Sequence, residues 1–311
     1  MLCDVCKINE ASVFQSHTKR KLCKKCFMED IRKRVEDEVE RKKLKGKKIL
    51  VAVSGGKDSI VLTDTLAKIL DSSNLIALNI EEGIHGYNRR ENIIKLKDYF
   101  KQLGVELVLT SFKEDIGLTL DEMVKRSVEN KVRISACTFC GGFRRKIMNE
   151  FGRKYNVDFV ATGHNLDDEA QTIIINLLRG DINRLIRFGE NMVRVSEKFV
   201  PRVKPLRKIY EWETTTYAYF LGFEFQDTEC PYIISRPTLR AKVRELLYEI
   251  EEIYPGTLLR IVENFDKIAD RVKSSVNITR LSECIICGEP TTPQRKVCKN
   301  CELLMLINYK K

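Results

Sequence analysis

The chain has 311 residues, 43% of them hydrophobic and 32% charged, with a formal net charge of +11. That length holds one large domain plus smaller ones, and the hydrophobic share is ordinary for a globular fold. The opening MLCDVCKINE puts a cysteine pair where a secretory signal needs its apolar core, and no apolar run approaches a membrane span, so a cytoplasmic protein is expected.

Eleven cysteines in such a chain point to metal or catalysis rather than to a disulfide framework. Cys3, Cys6, Cys23 and Cys26 form CxxC, sixteen residues, CxxC. That spacing delivers four thiolates to one structural Zn²⁺ and predicts a small N-terminal module. His17 lies between the knuckles, but four thiolates are already complete, so it is expected at the surface. Residues 27–46 read as one polar helix with opposite charges four apart, ending at Gly46 as its C-cap.

Lys48–Val53 is a short β-branched run and predicts a buried strand. Ser54-Gly55-Gly56 breaks it, and Leu62, Leu66, Ile69 and Leu70 then recur at a helical period. Strand, glycine turn and helix set backbone N–H groups and a helix N-terminus against an anion. Lys57 adds charge, and Ser54 and Ser59 offer hydroxyls. This is not a Walker A loop: Val51 stands where its first glycine belongs, and Asp58 follows the lysine in place of Ser or Thr. Asp58 suits Mg²⁺ better than direct phosphate contact.

Further strands are predicted at 75–81, 105–109, 158–162 and 199–203, alternating with helices at 58–70, 88–103, 119–133, 142–155, 167–179 and 210–221. Such alternation means a parallel sheet covered by helices, with ligands beyond the carboxyl ends of its strands. The glycine loop, Ile80-Glu81 and Thr162-Gly163-His164 would meet there. In ATGHNLDDEAQT, residues 161–172, Gly163 permits close approach to a ligand. Asp167, Asp168 and Glu169 either complement the helix dipole or supply a Mg²⁺- or substrate-orienting group.

Cys137-Thr-Phe-Cys140 stands at a helix start, where its thiol pKa values are expected to fall, helped by Arg144, Arg145 and Lys146. Cys230 lies at the end of the main domain. Three thiolates can hold a [4Fe–4S] cluster and leave its fourth iron open. The rival is a Cys137–Cys140 redox pair or persulfide carrier with Cys230 a buried bystander. Residues 236–281 are predicted helical from Pro237 onward, basic and apolar by turns, as a nucleic-acid-facing clamp or a dimer element. Cys284, Cys287, Cys298 and Cys301, as CxxC, ten residues, CxxC, predict a second zinc module, followed by the apolar LLMLINY. The basic clusters KRKLCKK, RKKLKGKK, FRRK, RVKPLRK and YKK point to nucleic acid.

The string SGGKDS resembles the PP-loop of ATP pyrophosphatase-like enzymes, which cleave ATP between the α- and β-phosphates and adenylate a substrate. Together with CTFCG, TGHNLDDEAQT, ECPY and the knuckles at both ends, it makes nearly the whole chain similar to the TtcA/TtuA family of tRNA 2-thiolation enzymes. The match is to its TtuA branch, because TtcA-type members lack the double zinc modules. The fold this implies is α/β: a parallel-sheet PP-loop core, Rossmann-like and of the adenine nucleotide alpha hydrolase type, flanked by N- and C-terminal four-cysteine zinc modules. The regions are a zinc module at 1–30, the catalytic domain at 31–235, a helical basic segment at 236–281 and the second zinc module at 282–311.

The resemblance also implies roles. ATP with Mg²⁺ would lie on Ser54, Gly55, Gly56, Lys57, Asp58 and Ser59, with Ala52 and Ile80 near the adenine and Gly163 near the ribose. Arg144 stands where relatives can carry lysine; it keeps the charge but cannot transfer a proton. Asp168 would orient or activate in the same cleft, and Cys137, Cys140 and Cys230 would hold an oxygen-sensitive [4Fe–4S] cluster whose free iron accepts sulfide. The activity implied is a tRNA-5-methyluridine 2-sulfurtransferase that turns ATP into AMP and pyrophosphate. Uridine 54 is expected from the TtuA-like cysteine layout and a thermophile-like composition, and wobble uridine 34 is the alternative. A ubiquitin-like carrier with a C-terminal thiocarboxylate would bring sulfur to a homodimer. A zinc-ribbon RNA-binding protein with a vestigial PP-loop would instead bind tRNA without releasing AMP.

Overall fold

The computed structural model describes residues 1–87, 90–181, 185, 196–223, 230–234, 238–273 and 281–309. The chain opens with an antiparallel hairpin, β1 (Val13–Gln15) and β2 (Arg20–Leu22), followed by helix α1 (Lys24–Arg41). Cys23 is the N-cap of α1, so the helix begins inside the second knuckle, ahead of the expected start at residue 27. It also ends early. Lys43 adopts a left-handed φ of +54°, the Leu44 N–H donates to the Val39 carbonyl at 3.0 Å, and the Lys43 N–H donates to the Glu40 carbonyl at 2.9 Å. That pair of bonds is a Schellman closure, with buried Leu44 as its apolar contact. A lysine therefore takes the position expected of Gly46, which lies beyond the closure.

The main sheet follows from alternating elements: β3 (Ile49–Val53), α2 (Lys57–Ile69), β4 (Leu75–Glu81), α3 (Arg90–Gln102), β5 (Glu106–Ser111), α4 (Phe112–Asp115), α5 (Leu120–Glu129), α6 (Ala136–Lys154), β6 (Phe159–Thr162), α7 (Leu166–Leu178), β7 (Arg202–Val203) and α8 (Glu211–Phe220). Its five strands are parallel in the order β5-β4-β3-β6-β7. β3 and β4 are buried along most of their length, as continuous apolar runs in a covered parallel sheet should be. Strand order reverses between β3 and β6, which is where open parallel sheets bind ligands.

Three further boundaries differ from expectation, two of them for identifiable reasons. α5 opens on a Thr119/Glu122 capping box but stops at Glu129, because Asn130 caps it and Lys131 turns left-handed. The strand expected at 199–203 shrinks to two residues. α6 starts at Ala136 instead of residue 142, capped by Ser135, whose Oγ accepts the Thr138 N–H at 3.3 Å. Gly141 and Gly142 thus lie inside a helix rather than before one. Residues 88 and 89, where α3 was expected to begin, lie outside the described residues.

After α8 come α9 (Pro231–Ile234), α10 (Leu239–Ile253) and α11 (Thr257–Lys273). Thr238 caps α10; Pro237, expected to open it, lies outside the described residues. The chain closes with the hairpin β8 (Ser282–Glu283) and β9 (Pro290–Thr291), then α12 (Lys299–Leu306), which absorbs most of the apolar tail. One core joins Cys3, Leu22, Cys23 and Phe27 to Ile49, Val51 and Ile60, so the first module is continuous with the sheet. A second joins Phe139, Phe143 and Ile147 of α6 to Leu303, Leu304 and Ile307.

Candidate active site

The loop from β3 to α2 sits at the reversal point of the sheet. Gly55 has φ +85°, a conformation open to glycine at little cost. Gly56 is the N-cap of α2 and supplies no side chain, so the helix start is left open as an anion site. Gly163, just after β6, packs directly on this turn: a Cβ there would stand 3.1 Å from Asp58 C and from Ser59 N. The two motifs are in backbone contact. Asn165 ties them further, its Oδ1 accepting the Asp168 N–H at 3.0 Å and its Nδ2 donating to Asp58 Oδ1 at 3.3 Å.

Around the loop the charges interlock. Lys57 Nζ donates to Asp58 Oδ2 at 3.0 Å and to Glu211 Oε1 at 3.1 Å. Asp58 Oδ1 also accepts Thr214 Oγ1 at 2.5 Å. The second oxygen of Glu211 accepts Arg244 Nη2 at 3.0 Å and Tyr248 Oη at 2.6 Å. Burial works against the Lys57 cation, yet Asp58 and Glu211 together raise its pKa above the ordinary lysine value. Burial likewise opposes the Glu211 carboxylate, but the Tyr248 hydrogen bond and Lys57 hold it below the usual range.

Ser59 is buried and donates its hydroxyl to the Gly56 carbonyl at 2.8 Å, so that proton is used within the loop. Ser54 is exposed and accepts the Gly56 N–H at 3.3 Å. Ala52 pairs in register with Thr162 across β3 and β6. In the acidic turn of α7, Asp167 is buried against the Glu211 N–H at 2.7 Å, and burial pushes its pKa up to about 6. Glu169 is buried and paired with Lys204 at 2.6 Å. Asp168 is the member of the triplet open to solvent, and it accepts Arg240 Nη1 at 3.1 Å. Glu211, Thr214, Arg244 and Tyr248 were missed from the sequence. They lie far along the chain, and an acidic residue opening α8 was the sole local hint.

Cys137 is exposed, while Cys140 and Cys230 are half-buried. Cys140 and Cys230 pack on one apolar cluster together with Ile80 and Tyr87. Ile80, at the carboxyl end of β4, also touches the sheet core around Leu50 and Leu78, so cysteines and strand ends are neighbours. The expected fall in thiol pKa is not found at Cys140. Burial pushes it up to about 11, outweighing nearby Arg144, while Glu82, Cys230 and Cys137 push the same way. Arg144 is itself engaged: its Nε donates at 2.5 Å to Glu82 Oε1, and the Glu82 side chain is 4% exposed. Cys140 lies near enough to Cys137 and Cys230 to feel both, and three thiols are a donor set that suits a cluster, but the three sulfurs are not drawn together as those of the terminal modules are.

In each terminal module the four sulfurs lie within 4.8 Å of one another. Thiolates about 2.3 Å from one zinc ion stand about 3.8 Å apart at tetrahedral corners. Cys6 and Cys23 are 3.9 Å apart, and Cys287 and Cys298 are 3.6 Å apart. Against burial, backbone N–H donors hold the Cys3 and Cys284 thiols down to about 6, whereas burial and neighbouring sulfurs push Cys26 up to about 12. Four thiols so close need a cation before all can ionise.

His17 is not a surface residue. Its side chain is 6% exposed, its ring centroid lies 4.8 Å from that of Tyr210 with the planes tilted by 36°, and Nε2 lies 3.9 Å from Glu213. It belongs to the seam between the first module and α8, where Arg34 and Gln15 also reach Glu213.

Residues 27–247 match the PP-loop domain family. The chain is 35% identical to a probable sulfurtransferase of Methanocaldococcus jannaschii, over 96% of this chain and 86% of that protein. It is 33% identical to cytoplasmic tRNA 2-thiolation protein 1 of Arabidopsis thaliana, over 99% of this chain and 85% of that one. Among solved structures it is similar to the U34-tRNA thiolase NcsA from Methanococcus maripaludis with its [4Fe–4S] cluster. There the TM-score is 0.79 and the identity 32%, over 98% of this chain and 96% of that chain. In the structure no helix among the described residues is long and apolar enough to cross a membrane.

Proposed function

The chain belongs to the PP-loop domain family, and from that premise we propose that it is an ATP-dependent sulfurtransferase making 2-thiouridine in tRNA. The observation that supports this reading is that two groups of motif residues stand at the carboxyl ends of neighbouring strands of the sheet, β3 and β4. One is the open start of α2 with Lys57, Asp58 and Gly163. The other is the pair Cys140 and Cys230, which pack on one apolar cluster with Ile80 near the carboxyl end of β4, the strand paired with β3.

The chemistry follows from the base. The C2 carbonyl of uridine is a weak electrophile, and its oxygen is a poor leaving group. Attack of that oxygen on the α-phosphate of ATP releases pyrophosphate and makes the oxygen part of AMP. Lys57 and the open N–H groups of α2 would stabilise the charge on the departing pyrophosphate. Asp58, held by Thr214 and Asn165, would ligate Mg²⁺. Ala52, Ile80 and Gly163 would border the adenosine, and Asp168 would orient substrate at the lip. Arg144, its charge fixed by Glu82, binds and does not transfer protons. Sulfide then attacks C2 and AMP departs, without net redox change.

Cys137, Cys140 and Cys230 would hold a [4Fe–4S] cluster, which when bound supplies an open iron for sulfur delivery. The two four-thiol modules would each hold a structural Zn²⁺. The target base must leave its stack to reach the cleft. Wobble uridine 34 is favoured by the name of the solved relative; uridine 54 remains the reading suggested by the TtuA-like cysteine layout. Sulfur would come from a ubiquitin-like thiocarboxylate carrier, and the enzyme would act as a homodimer. A persulfide on Cys137 is the second reading, favoured by the exposure of that thiol.

The test is anaerobic turnover with tRNA, ATP and sulfide, read as AMP release and as 2-thiouridine mapped by nucleoside mass spectrometry. Cys230→Ala is expected to lose iron and about 100-fold or more in thiolation while still binding ATP. Full thiolation by that variant would refute the cluster. Iron-free wild type that turns over with a small-molecule persulfide, which passes its outer sulfur to the thiol and leaves as a thiol, but not with sulfide would select the persulfide. Cys140 would then release the product as the Cys137–Cys140 disulfide.

A further inference from the structure

The C-terminal module lies along α6, the helix whose first turns carry Cys137 and Cys140. Near those turns, Asn300 Nδ2 donates to the Gly142 carbonyl at 3.2 Å. In mid-helix, Phe139, Phe143 and Ile147 pack with Leu303, Leu304 and Ile307. At the far end, Glu289 accepts Arg153, and its Oε2 lies 3.4 Å from Asn149 Nδ2. Asn300 stands between Cys298 and Cys301, two of the four thiols of that module.

Two adjacent glycines inside a helix cost about 1 kcal/mol each relative to alanine. At Gly142 the reason is specific. Outside α6 itself, the atoms within 4 Å of a Cβ built there belong to Asn300, and its Oδ1 would be 2.5 Å away. An alanine would favour the helix and at the same time force the Asn300 amide to turn or withdraw, loosening the seat of the module on it.

We infer that the C-terminal four-thiol module is a positioning device for the cysteine pair: through Asn300 seated on Gly142 it sets the rotation and depth of α6, and with them the direction in which Cys137 and Cys140 project. This rests on the reading of the pair as the sulfur site. It gives the second four-thiol module a role in the reaction besides its own folding, and Asn300 and Gly142 are positioning residues that act through the cysteines.

The experiment uses the full chain as wild type, Gly142→Ala, Asn300→Ala and the double variant. Three quantities are read: the ratio of iodoacetamide alkylation at Cys140 and Cys137, iron bound per chain after anaerobic reconstitution, and ATP affinity. Gly142→Ala should shift the alkylation ratio and lower iron severalfold with ATP affinity unchanged. The double variant relieves the clash but still lacks the Asn300 hydrogen bond, so its ratio should match that of Asn300→Ala, which should itself differ from wild type. A wild-type ratio in Asn300→Ala would overturn the inference. Unchanged ratio and iron in Gly142→Ala would overturn the inference. If even wild type binds no iron, the sulfur-site reading fails while the alkylation ratio still decides the positioning. If Gly142→Ala also loses ATP, it has misfolded, and Asn300→Ala, which only removes atoms, decides by the same ratio.

Discussion

Asn165 shows how one side chain can join two motifs that lie far apart in the chain, since its amide caps α7 and also holds Asp58. The motif residues themselves, Lys57, Asp58 and Gly163, were legible because their chemistry is carried by short contiguous strings. Glu211 and Thr214 were not, because nothing in their own neighbourhood announces a loop more than a hundred residues away. His17 was misplaced for a related reason: its partners Tyr210 and Glu213 come from α8. Burial, opposed by Glu213, lowers its pKa below 6.5. As pH falls through 6.5 the unfolded chain therefore takes up the proton first, so the contribution of His17 is complete above that pH and lost below it. Denaturant midpoints measured at about pH 5 and about pH 7.5 should fall further on acidification in wild type than in His17→Gln. Equal falls would show that His17 is not the group responsible.

The elements were easier to find than to delimit. β3 and β4 are apolar runs whose burial on both faces leaves little ambiguity, whereas the order β5-β4-β3-β6-β7 depends on pairings that no single segment encodes. α6 was cut short because Gly141-Gly142 reads as a break, and α1 was extended because its left-handed closing residue is a lysine. Gly163 is the place where two elements come closest. A methyl group there would press on backbone atoms of Asp58 and Ser59, which cannot swing aside as a side chain can. Gly163→Ala should lower ATP affinity roughly tenfold or more by displacing the first turn of α2, in line with an overpacking cost of about 1–3 kcal/mol. Calorimetric titration with ATP would check this, and an unaltered affinity would mean that the turn tolerates the shift.

Taken whole, the molecule is strongly basic, with a net charge of +11. Basic runs border the first module and return near residues 144 and 207. Many of these cations are engaged: Arg20 with Asp30, Lys45 with Glu40, Arg144 with Glu82, Lys146 with Glu150, Lys204 with Glu169 and Lys208 with Glu263, and Arg207 is buried against Asp266 at 2.6 Å. It is the net surplus of positive charge that would draw the chain to a phosphate backbone. Binding to tRNA should therefore weaken on the order of 10³-fold between about 50 and 200 mM salt, provided six or more phosphates are engaged. Filter binding across that range measures the slope directly, and a flat response would point to recognition without backbone contacts.

Cys3 and Cys23 belong to the same apolar core as Phe27, Ile49 and Val51. With the first module read as the seat of a structural ion, a newly made chain that failed to acquire that ion would not simply carry a loose terminal appendage. It would gape onto the interior of its largest domain and display greasy surface to chaperones and proteases. Cellular abundance of the protein would then follow the supply of that ion, with starved copies cleared instead of accumulating as an inert pool.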